Sequence, residues 1–209
     1  MSGSVGSASA ITLGAAIIAG GQGTRLGGVT KSLLVVDGVA IVDRQLALLA
    51  PWAHELVLAV SAPAPWADDR AARVGARVVI DAAGARGPLA GIAAALAAAR
   101  ADWMLVVGGD MPWLSAPVLA LVREAVDAAG ADVDAVVPRV GGFPEPLLAA
   151  YRARAAAGAA AAAGAGLGPS AWLRRELTVA WIEEAAVRAI DPELRALRGV
   201  NTAADLTGS

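Results

Sequence analysis

Short, continuous apolar runs recur along the chain, and stretches with helical spacing lie between them. That alternation leaves few folds open. Leu13–Ala19, Glu55–Ser61, Arg77–Asp81, Trp103–Val107, Asp134–Pro138 and Val179–Glu183 read as strands, dominated by Val, Ile and Leu. Unbroken apolar strands suit a sheet covered on both faces. Val39–Ala50, Leu89–Ala101 and Ser115–Ala129 read as helices. The first is followed by Pro51, the second begins after Gly87-Pro88, and the third opens on a Ser cap and stops at Gly130. The order predicts an α/β chain, a three-layer α/β/α sandwich around a mostly parallel central sheet. Ala153–Gly168 is low in complexity and predicts a helix running into a flexible loop, because Gly158, Gly164, Gly166 and Gly168 interrupt its alanines.

A Rossmann-like topology of this kind gathers the strand ends and their loops on one rim, where chemistry is expected. Composition narrows that chemistry. The absence of cysteine excludes a disulfide framework, thiolate catalysis, an iron–sulfur cluster and a cysteine zinc site. A single histidine, His54, excludes a multi-histidine metal site, and its place between a helix and a strand suggests no chemical role. The net charge of -2 argues against a nucleic-acid partner. Alanine supplies much of the mean hydropathy of +0.59. No stretch reaches the roughly 20 bulky apolar residues of a transmembrane helix, so no membrane partner is expected. Residues 1–10 lack the basic start of a signal peptide and are expected to form a disordered leader. Residues 11–209 are expected to form a single domain, in the cytoplasm. The six tryptophans are scattered and suggest core packing.

The most informative stretch directly follows the first strand: Ala19-Gly-Gly-Gln-Gly-Thr-Arg-Leu-Gly-Gly-Val-Thr-Lys31. Glycines at 20, 21 and 23 remove Cβ atoms, so successive N–H groups from Gly20 to Thr24 can converge on phosphate oxygens. Arg25 adds a bidentate fork and Lys31 a point charge. The spacing fits neither a Walker loop nor a dinucleotide fingerprint, whose third glycine would fall on Leu26.

This loop resembles the signature of nucleotidyltransferases that use a nucleoside triphosphate and release pyrophosphate. Its first half is similar to sugar-phosphate nucleotidyltransferases. The short gap to Lys31, with Gly27-Gly28 between, is more similar to the molybdenum cofactor guanylyltransferases, and that resemblance runs from about Leu13 to Leu206. It implies transfer of GMP from GTP to molybdopterin, with magnesium as cofactor. It places Ala19, Gly20, Gly21, Gly23, Thr24 and Lys31 on the nucleotide, with Arg25 and Lys31 as catalytic cations. A molybdoenzyme or its chaperone is a further expected partner.

Asp110 lies in Gly108-Gly-Asp-Met-Pro112, at the end of the most strand-like run. A carboxylate there can join a magnesium ion to triphosphate oxygens, and the G-D-M-P run resembles the family's metal-binding motif. Asp110 is therefore the expected metal ligand and a third catalytic residue. Asp81 ends the third strand and precedes Gly87-Pro88-Leu89-Ala90-Gly91, which resembles the family's segment close to the guanine. The resemblance puts Asp81, Gly87, Pro88 and Leu89 on the nucleotide; a carboxylate can accept from the N1–H and exocyclic amine of guanine. Asn201-Thr202 matches the family's closing motif, with Asn201 toward the acceptor or metal and Thr202 as a helix cap.

The chain also departs from the family's pattern. Ala59 and Gly199 stand where asparagines are common, and Glu145 replaces a histidine within Phe143–Tyr151, a stretch that resembles the family's strand near the acceptor. Arg139 and Gly141-Gly142 are candidates for the acceptor pocket. An acceptor phosphate is already anionic near neutral pH, so in-line attack on the α-phosphorus needs no general base, and positioning with charge stabilisation suffices. Alternatives are a cytidylyltransferase, a sugar-phosphate nucleotidyltransferase, or a GTP-binding partner of a molybdoenzyme without turnover.

Overall fold

A computed structural model describes residues 11–20, 30–81 and 87–200 of the chain. The expected leader, and Gly21, Gly23, Thr24, Arg25, Asn201 and Thr202, lie outside the described residues. The first strand, β1 (Leu13–Ile18), is followed by a small hairpin of β2 (Val35–Val36) and β3 (Val39–Ala40), then helix α1 (Ile41–Leu49). Next come β4 (Leu56–Val60), α2 (Pro65–Val74), β5 (Arg77–Ile80), α3 (Pro88–Ala97), β6 (Trp103–Gly108) and α4 (Ala116–Asp127). The C-terminal half holds β7 (Ala135–Val140), β8 (Phe143–Pro144), β9 (Leu148–Arg152), α5 (Ala156–Gly164), α6 (Pro169–Glu176), β10 (Val179–Glu183) and α7 (Glu184–Ile190).

The main sheet runs in the order β10-β7-β9-β6-β1-β4-β5, with β8 paired to β7. All six strands read from the sequence are present, and all are parallel. Only β8 and β9 oppose them, β9 pairing antiparallel with both β6 and β7. The segment Phe143–Tyr151 is thus not one strand. It is split into β8 and β9 by a turn in which the Leu148 N–H donates to the Glu145 carbonyl (3.1 Å).

Continuous apolar strands let each face bury its own layer of helices. Leu13, Ala15 and Ile17 of β1, with Trp103, Leu105 and Val107 of β6, pack under α1, α2, α4 and α7. Ala16, Met104 and Val106 face the other way, onto α3, α5 and α6. At about 25 cal/mol per Å² of apolar area, burial of this kind is the main term favouring the fold.

Several element boundaries differ from the sequence reading. α3 stops at Ala97 because the backbone N–H groups of Arg100 and Ala101 turn to the Glu55 carboxylate (2.6 and 2.7 Å). Ser115 occupies the N-cap of α4, yet its side chain makes no capping bond. The alanine-rich stretch is a helix that ends in a short turn at residues 165–168. Gly158 sits inside α5, the chain turns at Gly166 with a φ of +76°, and Pro169 starts α6. His54 lies between α1 and β4 and donates its backbone N–H to Leu13 (2.9 Å), at the sheet end away from the rim. Trp103 and Trp172 are core residues, while Trp66, Trp113 and Trp181 are half-buried beneath arginines. Among the described residues no helix is long and apolar enough to cross a membrane.

Candidate active site

The carboxyl ends of β1, β4, β5 and β6 share one rim. From β1 the chain crosses through α1 toward β4; from β6 it crosses through α4 the opposite way along the sheet, toward β7. The two crossovers part between β1 and β6, and a crevice opens at such a switch point. Here it holds a cavity of about 240 Å³. Ala19, Gly20, Lys31, Asp81, Gly87, Pro88 and Asp110 all line it, so residues far apart in sequence meet there. Leu89 does not: it is fully buried in the core between α3 and the sheet.

The floor is backbone. Gly109 donates its N–H to the Ile18 carbonyl (2.9 Å), tying the end of β6 to the end of β1. A Cβ at Gly109 would overlap the Ser32 hydroxyl, so the approach requires glycine. Asp110 follows in a tight turn closed by the Met111 N–H on the Gly108 carbonyl (3.3 Å). Its Oδ2 lies 3.3 Å from the Lys31 Nζ, and these side chains are 28% and 23% exposed. The Val200 N–H donates to the Asp110 carbonyl (2.8 Å). A Cβ on Gly199 would stand 3.2 Å from the Asp110 carboxyl carbon. The glycine at 199 therefore leaves the carboxylate the room that any side chain would press upon.

Asp81 is the second acidic group of the cavity, wedged between Gly20 and Gly91: Cβ atoms at those glycines would lie 3.3 and 3.5 Å from its two oxygens. Its Oδ1 is buried without a hydrogen-bond partner. Burial pushes its pKa up to about 6. A carboxylate in that state is a strong acceptor waiting for donors.

Among the described residues no three carboxylates or imidazoles cluster as a protein-only metal cage. Asp110 alone still fits magnesium, which is commonly held by one or two carboxylates while substrate phosphates and water complete its shell.

Beyond Asp110 lies a more open groove of about 640 Å³, lined by Glu145, Arg188 and Arg198 among others. It adjoins the cavity twice, since Leu147 lines the cavity two residues from Glu145, and Arg198 precedes Gly199. Glu145 accepts no side-chain hydrogen bond among the described residues, and burial raises its pKa. Arg188 is paired with Glu184 (2.6 Å), and Arg198 donates to the Glu193 carbonyl (2.7 Å). Arg139 lines neither space; it pairs with Glu183 (2.6 Å) and stacks over Trp181. Gly141 and Gly142 form the β7–β8 turn with φ of +57° and +82°.

Sequence reasoning missed Ser32 and Gln45. Ser32 is a buried hydroxyl on the cavity wall. Gln45 is 1% exposed and falls within the apolar stripe Ile41, Val42, Leu46 and Leu49 of α1. A buried polar residue in such a stripe was the available signal.

A mostly parallel α/β sheet whose switch-point cavity joins a lysine, a rim aspartate and bare backbone is the arrangement of a nucleotidyltransferase. Residues 15–179 match the MobA-like NTP transferase domain, and the chain belongs to that family. It is 29% identical to the Methanosarcina acetivorans protein named "Probable molybdenum cofactor guanylyltransferase", over 92% of this chain and 87% of that one. It is 36% identical to the molybdenum cofactor guanylyltransferase of Burkholderia ambifaria, over 56% of this chain and 58% of that one. The crystal structure of molybdopterin-guanine dinucleotide biosynthesis protein A from Archaeoglobus fulgidus superposes with a TM-score of 0.77 at 29% identity, covering 92% of this chain and 94% of that one.

Proposed function

We propose that the protein transfers GMP from GTP to molybdopterin, releasing pyrophosphate and forming the guanine dinucleotide cofactor. The observation that carries this is one cavity joining the Lys31–Asp110 pair to the unpartnered Asp81 carboxylate. Ionised Asp81 accepts the N1–H and the exocyclic amine of guanine, a donor pair absent from adenine. Gly20 and the N-terminus of α3, at Gly87 and Pro88, form the adjoining walls.

The terminal phosphate of the acceptor attacks the α-phosphorus. A new P–O bond forms, the bond to the bridging oxygen breaks, and pyrophosphate leaves with that electron pair. Lys31, with Arg25 from the preceding loop, holds triphosphate oxygens and offsets the charge gathering on the leaving group. Asp110 would hold a magnesium ion, which supplies charge neutralisation between the phosphate oxygens. The acceptor lies in the adjoining groove, where Glu145 takes pterin N–H donors, and the closing motif assigns Asn201 to the acceptor as well. The recipient of the product is a molybdoenzyme or its chaperone.

Purified protein is incubated with each nucleoside triphosphate, magnesium and molybdopterin, and pyrophosphate is assayed. Release that requires both GTP and molybdopterin supports the proposal. Release with CTP, release with a sugar phosphate as acceptor, or calorimetric GTP binding without turnover would each overturn it.

A further inference from the structure

Gln45 is the one buried uncharged amide of α1, and it does not serve the helix. Its Nε2 donates to the Gly108 carbonyl (2.7 Å) and to the Met111 carbonyl (3.1 Å). Those carbonyls are the two ends of the turn that carries Asp110, and the Gly108 carbonyl also accepts the turn's own closing bond from Met111. One side-chain amide thus spends both of its N–H groups on either side of the rim carboxylate. Its Oε1 is left buried without a partner. A side chain kept merely to fill the stripe would be apolar, because an orphaned buried oxygen is costly.

The turn is otherwise fixed from three directions. The Gly109 N–H donates to β1, the Gly108 N–H donates to the Leu147 carbonyl (2.9 Å), and the Asp110 carbonyl accepts from Val200. None of these three bonds spans the turn; its own Met111 N–H bond to Gly108 does, at 3.3 Å, and Gln45 adds a second tie between the same two residues. We infer that Gln45 is a positioning residue: it locks the Gly108–Met111 turn so that the Asp110 carboxylate is already aimed into the cavity before metal and triphosphate arrive. Preorganisation of this kind removes an ordering cost from the binding step. The inference rests on the reading of Asp110 as the metal-holding group.

The test uses the full chain with Gln45→Met, which keeps the length and removes both donors. Gln45→His can place an imidazole N–H near the same point, and Asp110→Asn serves as reference. In metal-free, nucleotide-free protein, hydrogen exchange of the peptide containing residues 108–113 is expected to speed up about tenfold in Gln45→Met, with the other peptides unchanged. Half-maximal magnesium for pyrophosphate release is expected to rise about tenfold with the KM for GTP within twofold, as is usual for lost outer partners of a metal ligand. Gln45→His is expected to recover most of both effects. Unchanged exchange and an unchanged magnesium profile in Gln45→Met, beside an inactive Asp110→Asn, would overturn the inference. So would faster exchange across every peptide, or a folded His variant as impaired as the Met variant. If Gln45→Met does not fold, the His variant alone decides, by whether its exchange and magnesium profile stay near wild type. Full activity in Asp110→Asn would overturn the reading of Asp110 instead, and the exchange measurement still tests the clamp by itself.

Discussion

The cavity and the groove lie side by side but are built differently. The cavity is small, about 240 Å³, and its walls are the first residues after β1, β5 and β6 together with the start of α3. The walls after β1, β5 and β6 are held by parallel strands whose register fixes where they end. The groove is larger, about 640 Å³, and comes from the β7–β9 insertion and the segment after α7. Its arginines are already engaged by Glu184 and the Glu193 carbonyl, whereas in the cavity Asp81 Oδ1 is buried with no hydrogen-bond partner among the described residues. The contrast teaches that strand ends fix the geometry of the cavity, whereas the groove is shaped by the connections around β8 and after α7.

Substitutions in the cavity should outweigh those in the groove. Asp110→Ala is expected to abolish magnesium-dependent transfer, measured as acceptor-dependent pyrophosphate release; a rate near wild type would erase the distinction. Lys31→Ala is expected to lower kcat about 100–1000-fold, the usual cost of losing a charge-stabilising donor, with a smaller effect on the KM for GTP. Asp81→Asn is expected to raise the KM for GTP about 10–100-fold, since a bond to a charged acceptor contributes about 1.5–3 kcal/mol. Glu145→Gln is expected to change the KM for the acceptor by only a few-fold and to leave that for GTP alone. A larger loss for GTP than for the acceptor would join the two regions into one site.

Asp81 adds a pH dependence of known sign. Unfolded, it loses its proton near its ordinary value of 3.8; folded, burial holds the proton to about 6. Between those values the native state binds more protons, so this group's contribution to stability falls as pH rises through the window, and the penalty is complete above it. Asp81→Asn is therefore expected to raise the Tm at about pH 8 and to give no gain below about pH 4. Binding of guanine donors needs the ionised form, so the KM for GTP should rise as pH drops below about 6 in the wild type but not in the variant.

The parallel strands were legible because each is a continuous apolar run, a pattern that burial on both faces enforces. Strand β9 was harder: Glu145 and Pro146 interrupt the stretch before it, and its pairing is settled by β6 and β7, which lie on either side of it in space. α2 buries only Ala67 and Ala71, so no apolar stripe announced it. Pro65 at its start and Gly75, with a φ of +69°, at its end were the usable signals. The β2–β3 hairpin was not read from the sequence, and Val39 lies in it rather than in the expected helix; Asp37-Gly38 between valines, both with positive φ, was the usable signal.

For the site, the sequence by itself determined the chemistry available: a glycine loop after a buried strand, Lys31 close behind it, and aspartates at strand ends. Backbone rules suffice for that, because glycine spacing and strand termination are local. Only the tertiary structure decided that Lys31 meets Asp110 at 3.3 Å, that Leu89 turns into the core, and that Gln45 faces the rim turn. Those facts depend on strand order and on the angle at which α1 and α3 pack. Such long-range geometry is set by the whole buried core, and no short stretch of residues encodes it.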